Sequence, residues 1–153
     1  MKILKYCCCF LLVLGNFSCS NNDDLLVQCA AIDYAIPGLI IEFIDSNGIN
    51  LIDNGTYDKD EIKVIINDTK VSRIVEQEDG TVLNVLLSDA LDNKEAQVIL
   101  SSVETDILKV ALTRTTTGSP CFFAVFRVDE VSYNAVNQSL EEIPFNYKIT
   151  IVK

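Results

Sequence analysis

Histidine and tryptophan are absent from this chain of 153 residues. Without histidine, the commonest general base and the commonest transition-metal ligand are gone. A serine or cysteine nucleophile then has no imidazole to activate it. Without tryptophan, the strongest platform for stacking sugars or bases is missing, although five tyrosines remain. Positive charge is scarce: 12 Lys and Arg stand against 22 Asp and Glu, a net charge of −10. A field of that sign repels nucleic acid and anionic lipid headgroups, so nucleic-acid partners are excluded. It keeps a domain soluble, and it attracts cations or a basic partner. Carboxylate pairs of the kind glycosidases use can be drawn among 22 acidic residues, but the sequence singles out none. No catalytic constellation stands out, and the chain reads as a non-enzyme.

What is present begins with Met1 to Lys5, which carry two positive charges, and Tyr6 to Leu14, an unbroken apolar run. The run is too short to span a bilayer, which takes about 20 residues. A basic start and a short apolar core with small residues after it describe a secretory signal; an uncleaved membrane anchor is the alternative. Gly15-Asn16-Phe17-Ser18-Cys19 resembles the lipobox of bacterial lipoproteins, with small Ser18 before the scissile bond, Cys19 to receive the lipid, and Asn16 where Leu is usual. Ser20-Asn21-Asn22-Asp23-Asp24 resembles the acidic export tether of surface lipoproteins of Bacteroidetes. Ile41 to Tyr57, with its Asn-Gly turns at Asn47-Gly48 and Asn54-Gly55, is similar to a segment of small Bacteroidetes lipoproteins of unassigned function. The resemblance implies a signal peptide over 1–18, a lipidated Cys19 and tether over 19–28, and one domain over 29–153. It implies an outer-membrane location, at the cell surface or, alternatively, on the periplasmic face. It implies no activity. Once Lys2 and Lys5 leave with the signal, ten basic and 22 acidic residues remain, a balance of −12.

Six cysteines reduce to two. Cys7, Cys8 and Cys9 leave with the signal and Cys19 takes the lipid, so Cys29 and Cys121 remain in an oxidising compartment. A disulfide between them would close a loop of about 90 residues, which the chain-entropy model rates at roughly 4–5 kcal/mol. Two free, buried thiols are the rival reading.

Beyond Asp24 apolar residues recur with period two, rich in β-branched and aromatic types, as in half-buried strands. Ile62, Val64 and Ile66 form one such set, Leu83, Val85 and Leu87 another, then Leu108, Val110 and Leu112, and finally Phe145, Tyr147, Ile149 and Ile151. Asn67-Asp68, Glu78-Asp79-Gly80 and Thr117-Gly118-Ser119-Pro120 punctuate them as turns do. The pattern predicts strands near 38–45, 61–66, 70–77, 81–88, 95–101, 106–113, 121–128, 129–136 and 145–152, with one helical turn at most between Ser88 and Gln97. About eight short strands predict an all-β fold, an antiparallel β-sandwich of immunoglobulin-like or similar type. A small lipocalin-like β-barrel is the alternative.

The richest polar stretch runs from Asp45 to Glu61. Asp45, Asn47, Asp53, Asp58 and Asp60 could supply oxygen ligands to calcium, the one cofactor considered. Their spacing does not match an EF-hand loop, and turn formation by Asp, Asn and Gly explains each residue. In Phe122-Phe123-Ala124-Val125-Phe126, Phe122 and Phe126 share a face; core packing and an aromatic ligand patch are the two readings. In a packed sandwich both inner faces are consumed by the core, which leaves loops and outer faces for binding. The expectation is a non-catalytic module, held to a membrane by its lipid, that binds a glycan or protein partner through Asp45–Glu61 or Asn137–Pro144. A fimbria-like subunit assembling by strand exchange is the alternative.

Overall fold

The computed structural model describes residues 37–116 and 125–153. The residues read above as signal segment, lipidated Cys19 and tether, together with Cys29, Cys121, Phe122, Phe123 and the turn expected at Thr117–Pro120, lie outside the described residues. The described chain is all-β. Its strands are β1 (Gly38–Ile44), β2 (Lys63–Ile66), β3 (Thr69–Lys70), β4 (Ser72–Gln77), β5 (Gly80–Leu86), β6 (Glu95–Ile99), β7 (Thr105–Thr115), β8 (Val125–Tyr133), β9 (Val136–Asn137), β10 (Glu141–Ile143) and β11 (Asn146–Val152). They form two separate sheets, ordered β10-β11-β1-β5-β4 and β3-β2-β6-β7-β8-β9. The fold is therefore a sandwich and not a closed barrel. Among the described strands each strand-to-strand pairing is antiparallel except that of β1 with β11, which run parallel along their whole length from Gly38–Asn146 to Ile44–Val152; Asp92, outside the strands, adds one parallel bridge to Val110.

Alternation explains the layers. Leu39, Ile41 and Phe43 of β1, Leu83 and Val85 of β5, and Ile149 and Ile151 of β11 point inward. They meet Val64 and Ile66 of β2, Ala96 and Val98 of β6, Leu108 and Val110 of β7, and Val128, Val131 and Tyr133 of β8 in one core. The other face carries most of the strands' polar residues, as period two allows, although Ile40 and Val82 lie on it and are also buried. Asn67 and Asp68, with φ of 47° and 62°, make the tight two-residue turn between β2 and β3. Asn and Asp tolerate that left-handed conformation better than other side chains.

One flank is closed by a strand that changes sheets. The Val71 amide donates to Val64 O of the second sheet at 2.9 Å, and Val71 O accepts from the Leu86 amide of the first at 2.8 Å. The opposite flank is crossed by the chain between β9 and β10. There β8 carries a bulge: Ala111 pairs with Glu130 and Leu112 with Val128, so Asp129 is an extra residue. A bulge with Arg127, Asp129 and Glu130 around it discourages a foreign strand from adding to that edge.

Three expectations need correction. The strands expected at 121–128 and 129–136 are, within the described residues, the single strand β8, because the bulge at Asp129 shifts the alternation without ending the strand. The segment 137–144, read as a loop, contains the end of β9 and all of β10. Phe145 does not share the inward face of Tyr147, Ile149 and Ile151. It sits in the turn before β11 with φ of 63° and is 77% exposed.

Candidate functional site

Asp45 to Glu61 folds as a plug over one end of the sandwich. Leu51, Ile52 and Tyr57 are buried and join the core from above. The polar residues build the turns that put them there. Asp45 Oδ1 accepts from the amides of Asn47 (2.8 Å) and Ile49 (2.9 Å), and Asn47 Nδ2 donates to Asp45 Oδ2. The Ile49 amide above all, with the Asn47 and Gly48 amides and the Asn47 side chain, holds the Asp45 carboxyl below its ordinary range against the opposing effect of desolvation. Asn50 Oδ1 accepts from the Ile52 and Asp53 amides, and its Nδ2 donates to Thr81 O. Asp53 Oδ2 accepts from the Thr81 amide at 3.2 Å, which docks the plug onto β5. Asp58 Oδ1 accepts from the Asp60 amide at 2.9 Å. The five candidate calcium ligands, Asp45, Asn47, Asp53, Asp58 and Asp60, are thus strung along successive turns. Among the described residues no three His, Cys, Asp or Glu side chains converge as a metal would need. Asp53 and Asp58 share an open groove of about 860 Å³ with Glu76, Glu78 and Asp79, bridged by Lys59 to Glu76 at 3.0 Å.

Beneath the plug lies a polar network that spacing in the sequence gave no reason to expect. Lys153, just past β11, reaches across to the other sheet and donates to Glu104 at 2.8 Å and to Asp106. Asp106 also accepts from the buried Tyr133 hydroxyl at 2.7 Å and from Asn134 Nδ2 at 2.8 Å. The Tyr57 hydroxyl contacts both oxygens of Glu104 at 3.2 and 3.3 Å. Phe43 packs edge-on against both tyrosine rings. Burial pulls the Asp106 carboxyl upward, but the hydrogen bonds from Asn134, Lys153 and Tyr133 outweigh it and hold the group below its ordinary range. Burial likewise opposes the charge on Lys153, and its two carboxylate partners outweigh it and raise the ammonium. Burial, with Asp106 beside it, pushes the Tyr133 hydroxyl far up. These groups satisfy one another and join the two sheets. Structural ion-pair networks shift titration in this way.

The opposite end differs. Pro37, Val125, Phe126, Glu142, Ile143, Phe145, Asn146 and Tyr147 line a hollow of about 250 Å³. Phe126 and Tyr147 reach inward against the core, and Phe145 stands outward. Ile143 pairs with Asn146, so Pro144 and Phe145 form a two-residue loop. Proline in the first loop position and positive φ in the second mark a type II turn, whose second position suits glycine. A bulky residue there is held at a cost of about 1–2 kcal/mol. The chain thus keeps an aromatic ring exposed in a position that disfavours it, and such strain clusters at binding surfaces. Phe126, read from sequence as core or patch, does both: it is half-buried and it lines the hollow. Phe145 was missed because the alternation of β11 runs through it; the preceding proline was the one available signal.

No protein-family model, no curated protein and no solved structure matches the chain.

Proposed function

We propose that this protein is a non-catalytic, lipid-anchored module of the outer membrane that binds a partner at the cell surface through the hollow around Phe145. The observation that carries the reading is an aromatic side chain 77% exposed at positive φ, set among Val125, Phe126, Ile143 and Tyr147. Apolar area of this kind, rimmed by polar residues, is what a binding partner desolvates. The signal-like start, Ser18-Cys19 and the acidic tether support anchoring and surface export. A periplasmic orientation would leave the binding reading intact. A disulfide between Cys29 and Cys121 belongs to this reading, since an even pair of cysteines outside the cytoplasm is read as a bond. Strand-exchange assembly is the weaker reading, because the β8 edge carries a bulge and charges that oppose pairing.

The test is site-specific photocrosslinking on the native cell. A photoreactive phenylalanine analogue at position 145 should give a discrete adduct. The same group at Val103, which is 94% exposed far from the hollow, should not. Equal labelling at both positions, or none at either, refutes the site. Cys19→Ala tests the anchor separately by release from the membrane fraction, and non-reducing peptide mapping tests the bond between Cys29 and Cys121.

A further inference from the structure

The outward face of the second sheet carries an arrangement that neither the plug nor the hollow explains. Strand register aligns one polar row across four strands: Glu95 pairs with Lys109, Lys109 with Ser132, and Ser132 with Asn137. At the spacing of neighbouring strands this row is roughly 14 Å long. Beside it runs a second row, in which Ile65 pairs with Gln97 and Gln97 with Ile107. The floor is low because Ala111 and Ser132 are small. Two shallow hollows, of about 450 and 220 Å³, meet there and share Lys109, Ser132 and Asn137. Asn137 is oriented by its hydrogen bond to Glu130, and Ile107 is fixed by the Asn134 side chain, whose Oδ1 accepts the Ile107 amide proton at 2.8 Å.

We infer that this trough binds a neutral oligosaccharide chain. The polar row offers a carboxylate, an ammonium, a hydroxyl and an amide in sequence, a mixed set of donors and acceptors suited to vicinal sugar hydroxyls. Ile107 offers aliphatic surface to the C–H faces of the rings. Recognition proceeds by hydrogen bonding along a groove and not by stacking, in keeping with a chain that has no tryptophan. Charge selects the class of glycan. Glu95 and Glu130 outnumber Lys109 in the trough, and the chain carries a net charge of −10. Uronic-acid and sulfated polymers are therefore repelled. The inference is independent of the partner proposed for the Phe145 hollow, which lies at one end of the sandwich.

Native electrophoresis through gels containing dextran, xylan, mannan, polygalacturonate or heparin tests it. The expected result is retardation by at least one of the three neutral polymers and by neither anionic one. Lys109→Ala and Asn137→Ala, both at exposed positions, should each weaken that retardation about tenfold, which is about 1.4 kcal/mol. Ala111→Tyr, which fills the floor, should abolish it. Phe145→Ala should leave it unchanged. Melting temperatures of the lysine and asparagine variants should match the parent and so keep the test valid if the Ala111 variant fails to fold. Retardation by the anionic polymers alone, by none of the polymers, or equally in all variants overturns the inference. So does loss of binding in Phe145→Ala, which would move the glycan to the hollow, or slow migration in the plain gel, which would signal pairing of two copies.

Discussion

Replacing Phe145 by alanine and, separately, by glycine isolates the backbone strain at the hairpin tip. Both variants lose the ring and its few contacts, so those terms cancel in the comparison. What differs is the cost of positive φ. At 63°, alanine still bears the left-handed penalty of about 1–2 kcal/mol, and glycine does not. Against this, glycine gives the unfolded chain more freedom, worth about 0.4–1 kcal/mol. The glycine variant should therefore be the more stable of the two by about 0.5–1 kcal/mol. For a domain of this size that is a difference in melting temperature of roughly 2–4 °C. At a position of ordinary φ the order reverses, since alanine then wins by the entropy of the unfolded chain. Urea denaturation followed by circular dichroism, together with thermal melts, measures the difference directly. An alanine variant as stable as the glycine variant, or more so, would refute the strain argument and with it the claim that an aromatic ring is displayed there against the preference of the backbone.

The network around Asp106 should make stability fall in acid. Its carboxyl is held below the ordinary value, so its contribution is present above the unfolded pKa near 3.8 and is lost as pH falls through the lower folded value; urea melts between pH 5 and pH 2 should show a fall that Asp106→Asn flattens. Tyr133→Phe removes the hydroxyl that Asp106 accepts from in a buried site and should cost about 1–3 kcal/mol at pH 7, whereas a loss under 0.5 kcal/mol would mean that the pair is bystanding. Ile149→Asp should unfold the domain because an unpaired charge enters the core, and exposed Thr150→Asp should be mild; equal tolerance in circular dichroism would break the register of β11. Millimolar calcium should leave the melting temperature unchanged, because Asp45, Asp53 and Asp58 already accept backbone amides. A rise of several degrees that Asp53→Asn removes would restore the metal reading.

Strand positions were readable because period two survives wherever one face is buried. Leu83 and Val85, or Leu108 and Val110, declare their face in the sequence and keep it in the fold. The pattern misled where geometry departed from it locally. Phe126 and Val128 fall out of phase with Val131 and Tyr133, which suggests two strands; the structure resolves this by inserting Asp129 as a bulge. At Phe145 the apolar alternation continued one residue past the strand, since hydrophobicity carries no information about φ. The turn role of Asp45, Asn50 and Asp58 was legible because it is local, an acceptor two to four residues from its donor. The network of Tyr57, Glu104, Asp106, Tyr133 and Lys153 was not legible, because its members come from a loop and three strand ends far apart in the chain. Only sheet packing brings them together. The row on the outer face of the second sheet was hidden for the same reason: it exists only once four registers are known.

The parallel pairing of β1 with β11 sets the order in which the molecule can be completed. Gly38 and Asn146, 108 residues apart, are already hydrogen-bonded where the two strands begin. The β1 strand lies in the interior of its sheet and has β5 on one side only until Asn146–Val152 has been made. Nascent chain lacking those residues exposes the flank of β1 and has no Lys153 to join the sheets. Contacts of such long sequence separation are also slow to form. The first sheet therefore cannot close around β1 until Asn146–Val152 is available, which makes this one strand the lock of the fold.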